Sequence, residues 1–284
     1  MKAKVTITLD ELVLLQADAR GFSFLPRHPV HSLLSGRHSS RLRGRGLAFE
    51  ELRHYSQGDD IRTIDWKATA RLRSPYVRVY SEERERPVLL VVDQRSSMFF
   101  GSRRAMKSVT AAEVTALGAW RTLHAGDRVG GIVFNDTEII DLRPQRSQNS
   151  VLRLLHEVVR LNHALVGGTA RPSEVTINHA LEAATRRATH DHLVVVISDL
   201  DGADDETRRL ATRLAAHNDV IIVATYDPLG ASLKNQQGMI ASTQQGNIEL
   251  PADSAFPEEF QRAFTERLDQ WREIFRALRV PVLP

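Results

Sequence analysis

PVLLVVDQRSSM, residues 87–98, decides how the rest of the chain is read. Its apolar residues Val88 to Val92 run without a break, are mostly β-branched, and stop at Asp93. A short continuous run of this kind fits a strand covered on both faces, which is the habit of a parallel sheet. In such sheets ligands gather outside the carboxyl ends of the strands. Asp93 falls at that end, followed by the hydroxyls of Ser96 and Ser97.

Outward from this strand the pattern alternates. Val109, Ala112, Ala116, Trp120 and Leu123 recur at steps of three and four, which predicts a helix from about Arg104 to His124 with one stripe on a sheet. Arg128–Phe134 and Thr137–Leu142 read as strands joined by a tight turn at Asn135-Asp136, an antiparallel edge. Val151, Leu154, Leu155 and Val158 mark a second helix, broken at Gly167-Gly168-Thr169; Pro172 fits the first turn of a third, running to about Thr189. HLVVVISD, His192–Asp199, repeats the opening pattern of an apolar run ending on a carboxylate. A helix (Asp205–His217), a buried strand (Val220–Ala224) and a hairpin between Gly238 and Leu250 around Gln245-Gly246 follow. The stripe Phe260, Phe264, Leu268, Trp271, Phe275, Leu278 is a core-facing helix. Strands separated by helices give an α/β fold: a mostly parallel central sheet, helices on both faces and one antiparallel edge strand.

The expected division is an N-terminal region over 1–85 and the α/β domain over 86–284. The first region is weakly periodic, with a short helix near Asp10–Ala19 and a strand near Tyr76–Tyr80. The chain's net charge is only +3, but twelve Lys/Arg face five Asp/Glu between Arg20 and Tyr80. The densest part, Leu34 to Gly46, is either a solvated basic arm or a surface for an acidic partner, protein or nucleic acid. No aromatic is interleaved among Arg37–Arg45 to stack bases, so nucleic acid is the weaker choice.

The chain has no cysteine, which excludes disulfides, thiolate metal sites and a cysteine nucleophile and accords with a reducing cytoplasm. No apolar run approaches the roughly 18 residues of a membrane helix, and MKAKVTITLDELVLL lacks the marks of a signal peptide. The expected location is the cytoplasm, peripheral to the inner membrane only through partners. Neither GxxxxGK[ST] nor a post-strand GxGxxG occurs, which speaks against nucleotide hydrolysis or dinucleotide binding.

If the strands ending at Asp93 and Asp199 are neighbours, Asp93, Ser97, Thr169 and Asp199 converge, with Gly168 letting the Thr169 loop approach. Few, hard oxygen ligands of this kind suit Mg2+ or Mn2+. A second reading takes Asp199-Leu200-Asp201-Gly202 as the nucleophile motif of haloacid-dehalogenase-like phosphatases, with Asp199 attacking and Asp201 as acid. That motif normally opens its fold, and here it lies late in the chain.

The order Asp93-x-x-x-Ser97, then Thr169, then Asp199 resembles the metal-ion-dependent adhesion site of von Willebrand factor A-like domains. The resemblance implies a metal at these four residues and a binding rim that includes Arg95, Ser96, Gly168 and Asp201. Arg95 stands where that site has its first serine. A guanidinium repels a divalent ion at contact distance, so Arg95 either swings away or replaces the ion and pairs with Asp93 and Asp199. Upstream, Gly44, Gly46, Phe49, Arg53, Tyr55, Gly58, Asp59, Asp60, Arg62, Ile64, Asp65 and Trp66 are similar to the signature of the bacterial family called domain of unknown function 58. That resemblance implies a non-enzymatic adaptor for an unidentified client protein, partnered with a MoxR-type AAA+ ATPase.

Overall fold

The computed structural model describes residues 4–22, 47–82, 86–165, 174–227, 240–243, 246–249 and 280–283, with single helical positions between 262 and 275. Gly168, Thr169 and Pro172 lie outside the described residues, as does the basic stretch Leu34–Gly46. In chain order the elements are α1 (Leu9–Leu14), β1 (Leu47–His54), α2 (Trp66–Leu72), β2 (Tyr76–Glu82), β3 (Val88–Asp93), α3 (Lys107–His124), β4 (Val129–Phe134), β5 (Ile139–Gln145), α4 (Gln148–Ala164), α5 (Ile177–Arg187), β6 (Leu193–Ser198), α6 (Asp205–Ala215), β7 (Asp219–Ala224), β8 (Ile240–Thr243), β9 (Gly246–Glu249) and β10 (Val282–Leu283). Contacts divide the chain into two units, 1–24 with 86–284, and 25–85.

The first unit is an α/β sheet of six strands in the order β10-β7-β6-β3-β4-β5. All neighbours are parallel except β4–β5. The apolar run of β3 explains why the sheet is sandwiched. Side chains alternate across a strand: Val88, Leu90 and Val92 join one core with residues of α1, α3 and α4. Leu89 and Val91 join the other with residues of α5 and α6 and with Trp271 and Phe275. Each such side chain fully buried contributes about 1.5–3 kcal/mol. The predicted strand neighbours are confirmed, with Val91 opposite Val196 on one side and Ile132 on the other. The edge hairpin carries an irregularity between Val129 and Gly131. Gly130 sits there because a Cβ would lie 2.4 Å from the Leu142 carbonyl oxygen and 2.5 Å from the Pro144 nitrogen.

Several boundaries differ from expectation. The third helix starts at Ile177 and not near Pro172, where the Thr176 amide donates to His179 Nδ1 as its first turn closes. Residues 1–24 group with 86–284 and not with the rest of 1–85. The cause is a set of long-range bonds: the Lys4 amide donates to the Arg104 carbonyl at 2.9 Å, the Ile7 amide to Asn162 Oδ1 at 3.2 Å, and Trp120 Nε1 to the Leu12 carbonyl at 3.1 Å. The C-terminal hairpin forms as β8 paired with β9. Of the terminal apolar stripe, Trp271 and Phe275 are described and buried.

The second unit pairs β1 with β2 antiparallel and carries α2 beside them. Strand β1 was not expected from the sequence. Here the acids of the Gly-Asp-Asp signature bond to their own unit: Asp59 accepts from Arg53 Nη1 and Nη2 at 3.0 and 2.8 Å and from the Ser56 amide at 2.7 Å, and Asp60 from the Arg62 amide at 2.9 Å. Gly58 makes the turn at φ +107°. Asp65 caps α2 through the Lys67 and Ala68 amides and accepts from Arg78 Nε at 2.8 Å.

Candidate functional site

The carboxyl ends of β3 and β6 form the candidate site. Asp93 closes β3 with no solvent exposure. A carboxylate so placed must be paired and hydrogen-bonded, and Arg95 supplies most of what it needs. Arg95 Nη2 donates to Asp93 Oδ2 at 2.7 Å and Nε to Oδ1 at 3.0 Å, while the Arg95 amide also donates to Oδ1 at 3.0 Å. Ser198 Oγ completes Oδ2 at 2.7 Å. The guanidinium carbon stands 5.5 Å from the centre of the Phe134 ring, a cation–π contact that favours the charged form.

Asp199, one residue beyond β6, is also almost buried and has its own cation. Lys107 Nζ, at the first position of α3, donates to Asp199 Oδ2 at 2.6 Å. Asp199 Oδ1 accepts from the Asp201 amide at 3.0 Å and from Ser97 Oγ at 3.4 Å. The turn after β6 is tight: Leu200 and Gly202 take φ of +58° and +72°. It is held by the Leu200 amide on Ser198 Oγ and delivers the Asp201 carbonyl to Arg95 Nη2, both at 3.0 Å. On the other flank, the Ser96 amide donates to Asp136 Oδ2 at 2.8 Å. The Asp136 carbonyl accepts the Glu174 and Val175 amides, which pins the chain just after the Thr169 loop.

The electrostatics follow from this partition. Burial pushes the Asp93 carboxyl upward, opposed by the charge and hydrogen bonds of Arg95. Burial alone would lower the Arg95 guanidinium, but the Asp93 carboxylate outweighs it and the net direction is upward. For Asp199, burial works upward as well, and the Lys107 ammonium overcomes it, holding the carboxyl below its ordinary range.

Of the residues singled out in the sequence, Asp93, Arg95, Ser96, Ser97, Asp199 and Asp201 come together at this edge, and Gly168 and Thr169 lie outside the described residues. Lys107, Asp136 and Ser198 were missed. Ser198 left a legible trace, since a hydroxyl in a strand buried on both faces needs a partner. Lys107 left none, because only the docking of α3 brings it to β6.

A divalent ion needs free carboxylate lone pairs. Each carboxylate oxygen offers about two. Asp93 Oδ1 already accepts two N–H groups, and Oδ2 accepts Arg95 Nη2 and Ser198 Oγ. As arranged, these residues do not fit a Mg2+ or Mn2+ ion: Arg95 fills the place beside Asp93, and Lys107 the place beside Asp199.

Comparison with known proteins shows what the chain is similar to. The uncharacterized proteins Rv1480 of Mycobacterium tuberculosis and Mb1516 of Mycobacterium bovis are each 26% identical to it over 274 residues, covering 95% of this chain and 84% of theirs. Among solved structures, an aerotolerance-related membrane protein from Bacteroides fragilis is 18% identical with a TM-score of 0.40, covering 63% of this chain and 88% of its own. The conserved hypothetical protein BatB from Bacteroides thetaiotaomicron is 14% identical with a TM-score of 0.40, covering 68% and 98%. Among the described residues of the present chain, no helix is long and apolar enough to cross a membrane. The model of the family described as protein of unknown function DUF58 matches residues 51–269, from within β1 to beyond β9, and the chain belongs to that family.

Proposed function

We propose that this chain is a non-enzymatic, protein-binding adaptor of the cytoplasm that works with a MoxR-type AAA+ ATPase on a client protein, using the β3–β6 edge as its contact rim. The observation that carries this reading is the meeting of Asp93 and Asp199 at the carboxyl ends of adjacent parallel strands, each engaged by a fixed cation. Ligands of open α/β sheets bind outside this edge. Both carboxylates serve as ion-pair partners and neither is left as a base or nucleophile, which favours recognition over chemistry. The same point weighs against the phosphatase reading, in which Asp199 needs an unengaged oxygen. The likeness to von Willebrand factor A-like domains supports the choice of rim, and the family signature supports the choice of ATPase.

Co-purification with the MoxR-type ATPase, with and without ATP, tests this. Asp201 is exposed at the rim and contributes its backbone to it. Asp201→Lys reverses a charge beside Arg95 and should therefore change retention on the ATPase relative to the parent. Equal retention of variant and parent, or no retention in either nucleotide state, refutes the proposal.

A further inference from the structure

We infer that the rim is a metal-free carboxylate-binding site, in which Arg95 and Lys107 present their unused N–H groups directly to an acidic side chain of a partner protein. This rests on the reading of the β3–β6 edge as a binding rim and names the chemistry it recognises.

The starting point is a count of donors. Arg95 has five N–H donors. Nε is directed at Asp93, and Nη2 at Asp93 and the Asp201 carbonyl. Nη1 makes no hydrogen bond among the described residues. It is not sealed in, because Ser108 Oγ is the single fully buried side-chain nitrogen or oxygen without a partner among those residues. The side chain is otherwise 94% covered, with 6% exposed, so the guanidinium is held with one end at the surface. Gly202 lies beside that end, 4.0 Å from Nη1 at the position of a Cβ. Lys107 is similar. Its ammonium has three donors, donates to Asp199, and keeps 16% of the side chain exposed.

Both groups are donors without any acceptor capacity, so their ligand must supply lone pairs. Two cations against two carboxylates leave the quartet neutral, as a divalent ion would. Its open positions are therefore N–H groups of fixed charge and direction. Charge-assisted bonds from such groups to a carboxylate are the strong class of hydrogen bond. Asp201 lies close enough to act on Arg95 electrostatically, so a lone small carboxylate is held weakly and a partner must add contacts around it.

The test uses the whole chain without any partner. Sodium acetate is titrated against sodium chloride at equal ionic strength, and the side-chain nitrogen resonances of Arg95 and Lys107 are followed by NMR. A saturable, acetate-specific shift with a millimolar Kd is expected, unchanged by EDTA. Lys107→Arg should keep it, and Lys107→Gln should weaken it by about ten-fold or more, the loss of one charge-assisted bond. In a parallel titration, MnCl2 should cause no saturable broadening at Ser97, Arg95 or Asp199. Acetate shifts no larger than chloride shifts, acetate binding that requires Mg2+, or saturable Mn2+ broadening in the parent chain overturns the inference. The readout involves no ATPase, so its failure is distinct from a failed co-purification.

Discussion

Replacing Arg95 by leucine removes the guanidinium from a carboxylate with 0% exposure. Asp93 loses its Nε and Nη2 bonds and keeps the Ser198 hydroxyl and the backbone amide of residue 95. The Asp201 carbonyl loses a donor as well. Breaking a buried pair from one side costs about 3–5 kcal/mol, because the remaining charge is left uncompensated. For a domain of this size each kcal/mol shifts Tm by about 2–4 °C, so a fall of roughly 6–20 °C is expected. Burial already raises the Asp93 carboxyl, and without Arg95 it rises further. A carboxyl raised in the folded state costs stability as pH climbs from its ordinary value toward the raised one. The deficit of Arg95→Leu should thus grow with pH across that interval. Urea unfolding followed by tryptophan fluorescence reports chiefly on the first unit, where Trp120 and Trp271 are buried, since Trp66 of the second is already exposed. The double variant Asp93→Leu/Arg95→Leu should recover most of the loss, as apolar replacements of buried pairs often do. A single variant within about 1 kcal/mol of the parent, or a double variant no better than the single, refutes the reasoning.

Lys107→Met should move the acid-unfolding midpoint upward. Asp199 is held below its ordinary value of 3.8 by Lys107, so its contribution is present above that pH and is lost as pH falls through the lower folded value; an unchanged midpoint in an acid titration counts against this. Gly130→Ala should cost about 1–3 kcal/mol by overpacking, since the new Cβ meets backbone of β5 at 2.4–2.5 Å. Hydrogen exchange should show β5 amides losing protection, and full protection would show that the hairpin accommodates the methyl group.

The Gly-Asp-Asp signature shows where local reading stops. Two adjacent acids after a glycine read as a turn followed by a helix start, with no partner for either acid legible in the sequence. Asp59 is taken by Arg53, six positions before it, Asp60 accepts the Arg62 amide, and Asp65 is taken by Arg78, thirteen positions after it on β2. Strand β1 itself was invisible because its sequence, LAFEELRH, alternates poorly. Helix α3 was legible as a stripe, yet its first residue, Lys107, gave no sign of a role at the rim.

What the amino-acid order determined by itself is the fold class and half of the site. Continuous β-branched runs ending on Asp93 and Asp199 are buried on both faces and end at a sheet edge, since period and composition act locally. What only the tertiary structure decided is where the charges go. Arg95 folds back onto Asp93, Lys107 arrives from another element at Asp199, and Asp136 clamps Ser96. Coulomb interactions depend on distance in space and on the surrounding burial, and neither quantity is written in the spacing of residues along a chain.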